Sequence, residues 1–177
     1  MATYTLKTSD YISENNRASV TYSPDTLSLE VLCGGVQWSW KPGCAKIRLS
    51  NGKTVYFDKA KCESSHFSNG VTDGIRAIYS GFADEEGTFC GFTAVTYVGF
   101  DYTDGTFRAE LTIENDAYGE IKRVYWPSPF VFDLPENQGY SVLTQMQGLL
   151  LPSRWERELP KYDGERIFTR NAYMPFY

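Results

Sequence analysis

The chain has a single histidine, His66, and that shortage limits the chemistry it can carry. A Ser-His-Asp triad needs a histidine base with ordered partners, and no Gly-x-Ser-x-Gly is present to supply the nucleophile. The four cysteines, Cys33, Cys44, Cys62 and Cys90, have no Cys-x-x-Cys spacing, and with one histidine they make no metal site. No Gly-x-Gly-x-x-Gly opens a helix after a strand and no phosphate-binding loop occurs, so the usual nucleotide sites and cofactors are not expected. Basic residues never run beyond the pair Lys122-Arg123, and with a net charge of −5 the counterion-displacing footprint of a nucleic-acid binder is missing. The longest aliphatic stretch, Leu149-Leu150-Leu151, falls far short of the roughly 18 residues of a membrane-spanning helix. The opening MATYTLKTSDY has no apolar signal region, and Asn-x-Ser/Thr sequons are absent. These absences point to a cytoplasmic protein with free, half-buried thiols.

What the chain does have is aromatic residues, 16% of the total, carried by 13 Tyr and 11 Phe. Such side chains suit a pleated, half-buried surface. Alternation marks strands at Ser19–Tyr22 and Leu27–Leu32, with Pro24-Asp25 as the turn, and again at Val36–Trp40. Ala45–Leu49 and Thr54–Phe57 flank Asn51-Gly52, a strong hairpin signal. Ile75–Tyr79 and Phe89–Val98 follow, separated by the acidic turn Asp84-Glu85-Glu86-Gly87. Thr106–Glu114 alternates after Asp104-Gly105. No convincing amphipathic helix is found, and Val142–Gly148 reads better as strand and loop. Strands every ten residues or so predict an all-β, antiparallel β-sandwich. The 177 residues fit one domain.

Beyond residue 120 the character changes. Six of the eight prolines lie from Pro127 onward, which predicts mostly long, aromatic, irregular connections. Ordered loops on a rigid scaffold commonly bind ligands, though they also simply cap a sandwich. Carbohydrates present apolar C–H faces and hydroxyls, so an aromatic ring backed by a polar group suits them. Trp126, Arg154, Trp155 and Tyr173 fit that recipe and are the candidate carbohydrate-binding residues. Trp38 and Trp40 share one strand face and read as core. The acids that could serve glycoside hydrolysis are Glu120 and two pairs, Asp101 with Asp104 and Glu114 with Asp116. Both pairs read as turn or strand-end acids, and no catalytic residue is assigned.

Several stretches in order resemble one family. TLSLEVLCGGVQWSW (26–40) is similar to the early strand, turn and Trp-Ser of the N-terminal β-sandwich domains of large bacterial glycoside hydrolases. LTIENDAYGEIKRVYWPSPF (111–130), GYSVLTQMQGLLLPSRW (139–155) and AYMPFY (172–177) resemble later parts of that domain, the last being its junction with a catalytic barrel. The resemblance is to the galactose-mutarotase-like supersandwich of α-glycosidase and endo-α-N-acetylgalactosaminidase-like architectures. It implies a non-catalytic domain that packs on and supports a downstream (β/α)8 barrel of the same chain and lends a loop to its sugar site. Mutarotase activity would want catalytic His and Glu, which His66 alone does not meet. Two alternatives stand beside this expectation: a stand-alone carbohydrate-binding module, and a β-sandwich protein-interaction domain.

Overall fold

The computed structural model describes residues 2–8, 17–33, 35–116, 121–128, 130–132, 140–143 and 149–152. They fall into two compact units, 1–132 and 133–177. In the first unit the strands are β1 (Tyr4–Lys7), β2 (Ala18–Ser23), β3 (Ser28–Cys33), β4 (Val36–Trp40), β5 (Lys46–Leu49), β6 (Thr54–Tyr56), β7 (Lys61–Ser68), β8 (Thr72–Ser80), β9 (Thr93–Asp101), β10 (Phe107–Glu114), β11 (Ile121–Tyr125) and β12 (Phe130–Phe132). They form three antiparallel sheets, in the orders β1-β2-β3-β4-β12, β10-β9-β8-β7 and β11-β5-β6. The second unit contains an antiparallel pair, β13 (Tyr140–Leu143) with β14 (Leu149–Pro152).

The fold is therefore all-β and antiparallel, in a sandwich-like arrangement. Alternation explains why. On β10, Phe107, Ala109, Leu111 and Ile113 turn inward, while Arg108, Glu110, Thr112 and Glu114 stay exposed. One face of the four-stranded sheet carries two core clusters. Ile75, Val98 and Phe100 pack with Leu6, Val20, Tyr22, Leu29, Val31 and Trp40 of the five-stranded sheet. Further along the strands, Ala77, Tyr79 and Ala94 pack with Ile47, Leu49 and Val55 of the three-stranded sheet and with Phe57 just after β6. The layer opposite the four-stranded sheet is thus divided between the five-stranded and the three-stranded sheets. Burying each such large apolar side chain stabilises by about 1.5–3 kcal/mol.

The expected turns are in place. Gly52 takes φ 88° between β5 and β6, where a side chain would be strained, and Asn51 Oδ1 accepts the Lys53 N–H at 3.0 Å. Asp84 holds the acidic turn by accepting the Glu86 and Thr88 N–H groups, each at 2.9 Å. Three differences are local. Leu27 belongs to the turn, not to β3: its N–H closes onto Pro24 O at 3.2 Å with φ 55°, and its side chain is still buried. Phe57 leaves β6 and opens a short 3-10 turn, Phe57–Lys59. Residues 89–92 do not extend β9; one isolated bridge, Ala83 to Phe89, holds them, and Phe89 lies 76% exposed. Strands β11 to β14 run through the region expected to be mostly connection.

All four cysteines are half-buried thiols outside any disulfide, as the sequence suggested. His66 sits exposed on β7, with Nε2 2.6 Å from Asp73 Oδ1.

Candidate functional site

Of the four candidate carbohydrate contacts, the described residues include Trp126. It follows β11, next to the cis peptide to Pro127. Its ring belongs to the margin of both core clusters. It meets Trp40 edge-on with centroids 5.0 Å apart, and lies tilted on Phe57 at 5.3 Å. The ring is only partly exposed, and its buried Nε1–H has no acceptor among the described residues. Arg154, Trp155 and Tyr173 lie outside the described residues. Trp38 and Trp40 share a face and join the core, as their spacing implied.

The acids weighed as a catalytic pair have structural partners. Asp101 Oδ2 accepts from Arg108 at 2.9 Å, and its Oδ1 accepts both the N–H and the hydroxyl of Thr103. These hydrogen bonds from Thr103, reinforced by the Arg108 charge, hold the Asp101 carboxyl below its ordinary range. Asp104 Oδ1 accepts the Thr106 N–H at 2.8 Å and so closes the turn into β10.

A cavity of about 410 Å³ lies elsewhere, on the face of the four-stranded sheet turned away from both clusters. Register builds it. Phe67 pairs with Gly74, Gly74 with Gly99, and Gly99 with Arg108, so these four form one row across the sheet. The next row is Ser65, Arg76, Tyr97 and Glu110. Two glycines side by side leave the centre of the first row without side chains. They are required by the backbone: a Cβ on Gly99 would run into Asp73 O, and one on Gly74 would stand 2.6 Å from Val98 O. The result is a glycine floor with walls.

One wall is aromatic, with the Phe67 and Tyr97 rings 5.4 Å apart at 64°. Arg108 stands opposite, about half exposed and steered by Asp101. Arg76 Nε donates to the Tyr97 hydroxyl at 3.2 Å, which fixes the phenol. The loop into β8 closes a further side. There Asn69 Oδ1 accepts the Val71 and Thr72 N–H groups at 2.9 and 2.7 Å. Glu110 is the carboxylate in the lining among the described residues. No group of three or more His, Cys, Asp or Glu among the described residues is placed to hold a metal ion. Sequence reading missed this cavity, although Gly74 and Gly99, each inside a strand, were the available sign of close backbone approach.

Solved structures of α-N-acetylgalactosaminidase NagBb from Bifidobacterium bifidum share this architecture. Its GalNAc complex matches with a TM-score of 0.69 and 21% identity, over 90% of this chain and 23% of that one. The fold is that of one region of a glycoside hydrolase. The Gal-NHAc-DNJ complex of the same enzyme also gives 0.69 at 21% identity, over 90% of this chain and 24% of that one. The quadruple mutant gives 0.67 at 22% identity, over 90% and 23%. The chain thus spans about a quarter of the length of these structures. No protein-family model and no curated protein matches it. No helix among the described residues is long and apolar enough to cross a membrane.

Proposed function

We propose that the chain is a non-catalytic accessory domain of a carbohydrate-active glycoside hydrolase, the N-terminal part of a longer cytoplasmic protein. It packs on and supports a catalytic barrel encoded downstream and lends a loop to the sugar site. One observation carries this reading: the fold likeness takes in 90% of this chain and only 23% of the hydrolase. The bonds are broken by the remaining part. On this reading residues 1–177 act as one accessory piece, and Trp126, Arg154, Trp155 and Tyr173 are its contacts to carbohydrate. The test is an assay of the 177-residue chain and of the full reading frame on aryl α-N-acetylgalactosaminide. Turnover by the longer protein alone is expected. Robust hydrolysis by the 177 residues would overturn the reading.

A second reading, a stand-alone carbohydrate-binding module, is favoured by the cavity on the four-stranded sheet. It requires no downstream barrel, so the length of the reading frame separates the two.

A further inference from the structure

We infer that the depression over Gly74 and Gly99 is a saccharide subsite that takes one neutral pyranose unit of a glycan. The inference stands on the cavity itself and does not depend on the accessory-domain reading.

Size is the first argument. About 410 Å³ falls in the range of small-ligand sites, which run from about 300 to 1,000 Å³. Chemistry is the second. A pyranose has an apolar C–H face and a rim of hydroxyls that both donate and accept. The Phe67 and Tyr97 rings supply the apolar wall. The lining adds a donor in Arg108 and an acceptor in Glu110, with Arg76 held on the Tyr97 hydroxyl. A phosphate or carboxylate would gain from the arginines but meet the exposed Glu110 charge, while Asp101 already pairs with Arg108. A neutral polyol uses both signs at no such cost.

Preorganisation is the third argument. Arg108 is steered by Asp101, the Tyr97 hydroxyl by Arg76, and the bordering loop by Asn69. Groups already ordered lose less entropy on binding. The glycine floor also exposes backbone between the walls, which allows a ring to approach the sheet closely.

The experiment is an NMR titration of the ¹⁵N-labelled 177-residue chain. The probes are the methyl glycosides of N-acetylgalactosamine, galactose, glucose and mannose, with sodium phosphate as a separate arm. Saturable binding of at least one glycoside is expected, on the order of millimolar, with shifts centred on the Gly74 and Gly99 amides. Phe67→Leu keeps apolar volume and removes the ring face, and weakens binding roughly three- to tenfold. Arg108→Gln weakens it about tenfold, and Glu30→Gln, at an exposed position on β3 of the five-stranded sheet, leaves it unchanged. Circular dichroism checks that each variant is folded. Failure of every glycoside to bind the folded chain would overturn the proposal. So would loss of binding in Glu30→Gln with none in Phe67→Leu, or phosphate binding at these amides more tightly than any sugar.

Discussion

Tyr79 is the middle of a buried hydrogen-bond relay. Its hydroxyl donates to Pro24 O at 3.0 Å and accepts from the Tyr22 hydroxyl at 3.2 Å. Both rings are fully buried, and burial raises both phenol pKa values, so both stay protonated across the physiological range. Tyr79→Phe leaves two partners unmet and costs about 1–3 kcal/mol. Tyr22→Phe, which spares the bond to Pro24, costs less. Urea melts of the two variants check the order, and equal losses would contradict the relay. The same neighbourhood silences a thiol. Burial, helped by the negative charge of Asp25, pushes the Cys62 pKa up to about 11. At pH 8 its thiolate fraction falls roughly two orders of magnitude below that of an ordinary cysteine. Iodoacetamide labelling followed by mass spectrometry then finds Cys62 slow in the folded chain and ordinary in urea. The same rate in both would refute the shift.

Strands carry their own test in the paired glycines. Gly99→Ala sets a Cβ against Asp73 O and the Gly74 Cα, and backbone atoms on both sides leave it nowhere to go. The variant loses about 1–3 kcal/mol or more. Gly91→Ala, where a Cβ meets nothing within 4 Å and φ is not positive, stays near wild type in the same thermal melt. Strand legibility followed the same physics. Strands β2 to β6 and β10 could be read because one face is buried and one wet, which writes period two into the sequence. Strand β7, KCESSHFS, escaped notice because as an edge strand it is polar along nearly its whole length. Residues 89–92 misled because Phe89 and Phe92 look like strand aromatics, although Phe92 is buried and Phe89 is not. Of the cavity, the strand glycines Gly74 and Gly99 were the one legible trace. The cavity exists only when four strands are set in register, and spacing along one strand does not contain that information.

At the scale of the molecule, the first unit is a divided core tied together at its seam. Trp126 touches both clusters, which places a residue picked out for ligand binding at a structural junction as well. Two carboxylates anchor the rim of this unit. Asp84 is almost wholly buried and takes Lys53 at 2.8 Å in addition to its turn N–H groups. The hydrogen bond from Lys53 comes first, then those from the backbone, in holding the Asp84 carboxyl below its ordinary value. Asp101 is depressed in the same sense by Thr103 and Arg108. A carboxylate whose pKa is lower in the folded than in the unfolded chain stabilises above its unfolded pKa, about 3.9 for Asp. That stability drains away as pH falls through the folded value. Lys53 is the mirror case: its pKa is raised, first by Asp84 and then by Glu86, so its share persists below about 10.4 and is lost in alkali. Asp84→Asn and Asp101→Asn should therefore melt below wild type at pH 7. For each, the gap in Tm should close as pH drops from about 4 towards 2, because wild type there loses the charge the variants already lack. A gap of constant size over that range would show that the two side chains act by shape and neutral hydrogen bonding alone, and that the acid limit of the fold is set by other groups.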